Sequence, residues 1–133
     1  MARQKKVIDA SVIVKWFNDE PGSEEALALE KKHAAGEIIL VIPELAFAEI
    51  LNALKWSGAS VDDLEKANRL LWKHQLHIES LSEFLLAKAA QLSVEYNLTI
   101  YDAIYCALAV CNGCSVVTAD KKILKVPWAE KLY

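Results

Sequence analysis

The most constraining feature of the chain is Ile38-Ile39-Leu40-Val41-Ile42, five consecutive apolar residues followed by Pro43. A half-exposed strand alternates apolar and polar positions, so an unbroken run of this kind suits a strand covered on both faces. Two shorter runs repeat the signature: Val7-Ile8 leads into Asp9, and Ser115-Val116-Val117-Thr118 leads into Ala119-Asp120. Strands buried on both faces belong to parallel sheets, whose neighbours are joined by crossovers, usually helices.

The intervening segments carry helical spacing. Ser11 is the expected cap of a helix bearing Val12, Ile13, Val14, Trp16 and Phe17, which Pro21-Gly22 ends. Ser23 opens a second helix with Glu24 and Glu25 in its first turn and Lys31-Lys32 in its last, closed by Gly36. Pro43 is placed in the first turn of a third helix that runs to about Trp56. Further helices are expected from Asp62 to roughly Gln75, over 82–98 and over 101–111. Residues 77–81 alternate and read as an edge strand, and another is expected around 129–132. No hairpin signal appears. The pattern predicts an α/β fold, a three-layer α/β/α sandwich with a central parallel sheet, as one domain over residues 1–133.

With 54% apolar and 25% charged residues the chain has the profile of a soluble globular protein. No apolar run is long enough for a bilayer, and the basic start leads into too short an apolar stretch for a signal peptide, so a cytoplasmic location without membrane contact is expected. The net charge of −3 is unusual for a protein that binds nucleic acid, although bound cations would offset it. Cys111 and Cys114 have a CxxC spacing, but they sit at a helix C-terminus, where the dipole opposes a thiolate; they read as semi-buried thiols in a turn. His33, His74 and His77 read as solvated surface imidazoles.

Four acids stand apart from the rest. Asp9 and Asp120 each follow an apolar strand, at the sheet edge where open parallel sheets form ligand sites. Asp102 lies near the start of a helix apolar on its other faces, and Glu49 lies among Leu45, Phe47, Ile50, Leu51 and Leu54, with Asn52 as its expected polar neighbour. A lone buried carboxylate costs several kcal/mol, in order of magnitude, unless paired. Basic residues near these acids are few, so divalent cations are the economical partners, and hard oxygen ligands suit Mg²⁺ or Mn²⁺. Such ions polarise phosphoryl oxygens and lower the pKa of an attacking water. Simpler roles exist for two of the four: Asp120 as the cap of the next turn, Asp102 as a first-turn acid.

Four stretches in order, Val7-Ile8-Asp9-Ala10-Ser11-Val12, Pro43-Glu44 with Ala48-Glu49-Ile50-Leu51-Asn52-Ala53-Leu54, the run from Tyr101-Asp102 to Ala109, and Val117-Thr118-Ala119-Asp120, resemble the PIN-domain ribonucleases. The likeness is greatest to the VapC-like toxins of toxin–antitoxin pairs. It implies a PIN-like fold and endonucleolytic hydrolysis of single-stranded RNA with the phosphate left on the 5′ side. It also implies catalytic, metal-holding roles for Asp9, Glu49, Asp102 and Asp120, with Ser11 and Thr118 as accessory hydroxyls. The implied partners are Mg²⁺ or Mn²⁺, an RNA substrate, a cognate antitoxin and a second copy in a homodimer. Trp16, Phe17, Trp56 and Trp72 are candidates for interfaces or for core packing. Lys15, Lys121 and Lys122 are candidates for tracking the RNA backbone.

Rival readings fit less well. A haloacid-dehalogenase-type phosphatase wants an acid two residues after Asp9, where this chain has Ser11; a phospho-receiver wants an acceptor acid and an acidic pair that no segment supplies. A binding module that kept the fold without catalysis, or an RNA-processing nuclease that is not a toxin, would share the same residues.

Overall fold

The computed structural model describes residues 3–133. The elements run β1 (Gln4–Ile8), α1 (Ala10–Val14), α2 (Ser23–Ala34), β2 (Ile38–Pro43), α3 (Leu45–Trp56), α4 (Val61–Lys73), β3 (His77–Glu79), α5 (Glu83–Tyr96), α6 (Ile100–Cys111), β4 (Val116–Thr118), a 3₁₀ turn (Ile123–Lys125) and β5 (Ala129–Lys131). The strands form one five-stranded sheet in the order β3-β2-β1-β4-β5, and every neighbouring pair is parallel. Val7 is the register point at the centre, paired with Val41 on one side and Val116 on the other.

The apolar runs are covered on both faces, as expected. Val7, Ile8, Leu40, Val41 and Ile42 are inaccessible to solvent. With right-handed crossovers, the helices between β1 and β3 fall on one face and α5 and α6 on the other. Helix α6 lies on β1, β2 and β4 with α5 packed outside it, while α1 packs against α2 and α3. All seven residues from Ala103 to Ala109 are buried, which accounts for a helix apolar all round.

Several boundaries differ from the sequence expectation. Pro43 ends β2 instead of opening α3; as the last residue of the strand, paired with Glu79, it leaves Glu44 as the helix cap. Asp9, not Ser11, is the cap position of α1, which spans a single turn, so Ser11 is free to use its hydroxyl elsewhere. Helix α4 starts at Val61 behind a reciprocal cap between Ser60 and Asp63, and α6 starts at Ile100 behind Thr99.

Two of the histidines, His33 and His74, are not simple surface groups, whereas His77 is exposed as expected. His33 accepts a hydrogen bond from the Leu40 N–H at Nδ1 (3.1 Å), and its Nε2 faces the His74 carbonyl at 3.1 Å, so it ties α2 to β2 and to the end of α4. His74 in turn lies 3.1 Å from Glu30 and edge-on to Trp16. Cys111 is exposed and only Cys114 is partly buried. Trp56 is 77% exposed, and Trp72 stacks on Phe47 at the surface, so neither tryptophan belongs to the core. No helix among the described residues is long and apolar enough to cross a membrane.

Candidate active site

The sheet order reverses between β1 and β4, and at such a switch point the loops leaving the strand ends diverge and open a crevice. Asp9 leaves β1 there and Asp120 follows β4. The two ends are stitched together: the Asp9 N–H donates to the Val117 carbonyl (3.4 Å), and Ser11 Oγ both donates to Asp9 Oδ1 (2.8 Å) and accepts from the Ala119 N–H (3.2 Å). Thr118, fully buried, accepts from the Asp120 N–H at 2.9 Å. The two accessory hydroxyls are thus structural members of the crevice.

Asp9 is 4% exposed. Burial pushes its carboxyl from 3.8 up to about 7; hydrogen bonding from Ser11 and Thr118 pulls it back, while Asp120 and Asp102 add to the rise. Asp102, third residue of α6, has its N–H bonded to the cap Thr99 (3.1 Å). Its pKa is also raised, first by burial and then by Asp120, with Lys122 acting in the opposite sense. Glu49, from α3, is raised by burial and by Asp102 and lowered by the hydroxyl of Tyr105, which donates to Oε1. Asp120 accepts the Lys122 N–H at 2.9 Å, so one of its oxygens does cap the following turn.

The fold therefore brings the four acids within electrostatic reach of one another: Asp9 with Asp120 and Asp102, Asp102 with Asp120, Glu49 with Asp102. None is ion-paired among the described residues. As their side chains are placed, no three His, Cys, Asp or Glu groups among the described residues converge closely enough to enclose one ion. What unites the quartet is a shared negative field in a partly desolvated crevice. All-oxygen donors, mutual repulsion and the lack of a contacting cation fit a hard divalent ion.

Two expectations about neighbours change. The polar partner of Glu49 is Tyr105, reached across the crevice from α6, and Asn52 points to solvent. Tyr105 is 1% exposed, and its hydroxyl pKa is raised by burial and by Glu49. The sequence held a signal for it, since a buried tyrosine hydroxyl needs a partner and Tyr105 lies one turn after Asp102. Lys15 is itself buried and bonded to Glu20 at 2.9 Å, so it forms part of the wall and not a free cation. Lys121 and Lys122 are exposed beside Asp120. Beneath the acids, burial together with Asp102 and Asp9 pushes the Cys106 thiol up to about 12, so it stays protonated.

A doubly wound parallel sheet with carboxylates gathered at its switch point defines an α/β domain of the acidic-crevice class. A PIN domain model matches residues 6–129. The chain belongs to the PIN-domain family. It is 32% identical over 126 residues to Ribonuclease VapC3 of Pyrobaculum aerophilum, a match covering 90% of this chain and 92% of that protein. Among solved structures it is similar to PAE2754 from Pyrobaculum aerophilum, with a TM-score of 0.67 at 26% identity over 98% of this chain and 92% of that one. A toxin–antitoxin complex from Klebsiella pneumoniae matches with a TM-score of 0.74 at 19% identity, over 96% of this chain and 98% of that one, a likeness of fold.

Proposed function

We propose that this protein is an endoribonuclease that hydrolyses RNA phosphodiesters with Mg²⁺ or Mn²⁺, and that it is the toxin of a toxin–antitoxin pair. The observation that carries the reading is the gathering of Asp9, Glu49, Asp102 and Asp120 at one crevice in a chain whose relative, at 32% identity over nearly its whole length, is a ribonuclease. Those four residues would hold the cation once their side chains close on it, since as placed no three of them enclose one ion. When bound, it would supply positive charge to the phosphoryl oxygens and lower the pKa of the attacking water.

The chain's own groups prepare the crevice. Ser11 fixes one oxygen of Asp9, whose carboxylate Thr118 also bonds, and the Tyr105 hydroxyl fixes one oxygen of Glu49, leaving the other oxygen of Glu49 for a ligand. These hydrogen bonds favour the ionised form, which a cation needs. Lys121 and Lys122 put positive charge at the mouth, where a phosphate would arrive. A cognate antitoxin and a second copy of the chain are the protein partners this reading entails, and the exposed Trp56 and Trp72 offer apolar surface for them.

The test is incubation with pooled tRNA, rRNA and mRNA, with mapping of the cleaved ends. Cleavage is expected with Mn²⁺ or Mg²⁺ and lost in EDTA. Asp9→Asn and Asp102→Asn are each expected to abolish it while the circular dichroism spectrum stays that of the parent. Full activity in excess EDTA, or from Asp9→Asn, would overturn the proposal.

A further inference from the structure

Tyr133 takes no part in the chemistry outlined above, yet its ring forms part of the crevice wall. It is 57% exposed and lines a depression of about 420 Å³ together with Ser11 and Glu49. It also borders a second depression, lined by Thr118, Lys121 and Lys131, on the other side of Ala119. The ring thus stands between Glu49 and a pair of exposed lysines.

Its position is held from behind. The Leu132 N–H donates to the Thr118 carbonyl at 3.0 Å, which pins the backbone beside β4. Gly22 lies against the ring so closely that a Cβ built there would stand 2.6 Å from two ring carbons. Gly22 also has φ +90, so this contact and this turn both favour a residue without a side chain. The Lys15 ammonium, held by Glu20, sits 5.7 Å from the ring centroid. An aromatic side chain braced on one side by a glycine and a fixed cation, with more than half its surface open beside an acidic crevice, is built to receive a flat partner. Lys121 and Lys131 have no ion-pair partner among the described residues, which leaves their charge for phosphates.

We infer that Tyr133 is a stacking platform for one unpaired base of the RNA next to the cleaved phosphate, with Lys121 and Lys131 taking phosphates on the adjoining side. The inference rests on the ribonuclease reading and adds to it a residue, Tyr133, through which the single-strand requirement implied by the family resemblance would act. A base inside a duplex has both faces covered by its neighbours, whereas a base in a single strand or loop can be splayed onto an aromatic ring. Stacking on any of the four bases is possible, so the platform selects single-stranded structure without choosing a sequence.

Binding is measured by fluorescence anisotropy in an Asp9→Asn background, with a short labelled single strand that the parent cleaves. Adding Tyr133→Ala is expected to weaken binding about tenfold or more, while Tyr133→Phe and Tyr133→Trp stay close to the background protein. The loss should vanish on a strand in which the stacked base is replaced by an abasic nucleotide, which a merely structural role for the ring would not produce. Lys121→Gln with Lys131→Gln should flatten the dependence of log affinity on log salt by roughly 1 to 1.5. Thermal melting checks that each variant is folded. Equal binding by Tyr133→Ala, equal losses on intact and abasic strands, or a loss with Tyr133→Phe as large as with alanine would overturn the platform. If the parent cleaves RNA and Tyr133→Ala cleaves it equally well, the platform alone fails. If the parent cleaves no RNA, the ribonuclease reading fails and the platform with it.

Discussion

Replacing Asp9 by Asn removes the most strongly disfavoured charge in the crevice, and the effect on stability has a calculable pH dependence. Burial raises this carboxyl from 3.8 to about 7. Between those values the folded protein keeps the proton and the unfolded chain has released it. The unfolded state therefore binds fewer protons, and stability falls as pH rises through the window. Below the window the group costs nothing, and above about pH 7 the penalty is complete. At 1.36 kcal/mol per pH unit the whole interval amounts to about 4 kcal/mol. Asp9 is 4% exposed, so solvent screening reduces this little.

Asn has the shape of Asp without its charge. Part of the interval lies below pH 5, so urea denaturation in EDTA should show the stability difference moving about 2–3 kcal/mol in favour of Asp9→Asn between pH 5 and pH 8. Titrations of groups remote from the crevice occur in both proteins and drop out of the comparison. Mn²⁺ at pH 8 should then narrow the difference, because a ligand at a hundredfold excess over its Kd stabilises the protein that binds it by about 2.7 kcal/mol, and the variant lacks one donor. A stability difference of the same size at both pH values would refute the assignment of a buried, proton-holding Asp9. The absence of any Mn²⁺ effect on the parent would refute the cation.

Two further substitutions probe the groups that hold the acids. Tyr105→Phe removes the hydroxyl that lowers the Glu49 pKa, so the acidic limb of the pH–rate profile should move to higher pH, with about 1 kcal/mol lost from stability; an unshifted limb would show that Glu49 does not need this partner. Ser11→Ala takes one hydrogen bond from Asp9 and leaves the Ala119 N–H without its acceptor, which should cost roughly 1–3 kcal/mol by urea denaturation and raise the Asp9 pKa further, whereas Ser11→Thr should recover most of the loss.

The sheet and its candidate site were largely legible in the sequence, because burial on both faces leaves an unmistakable run of apolar residues. Ile38–Ile42, Val7-Ile8 and Val116-Val117 stand out for that reason, and Asp9 and Asp120 stand out as the polar residues that follow such runs. Element ends were less legible, because they depend on which polar group finds which backbone partner. Pro43 is as acceptable at a strand end as in the first turn of a helix, and only its pairing with Glu79 decides between them. Ser11 has the right chemistry for a cap, but the close approach of β1 and β4 turns its hydroxyl to Asp9 and Ala119 instead.

Local pattern therefore determined that the chain is α/β with a parallel sheet and that four acids lie among apolar neighbours. Only the tertiary structure decided the strand order, and with it the switch point that sets Asp9 beside Asp120. It also decided contacts between residues far apart in the chain: Tyr105 with Glu49, His33 with β2 and the end of α4, and Tyr133 against Gly22. Periodicity records which face of an element is buried, and it carries no information about which distant element does the burying.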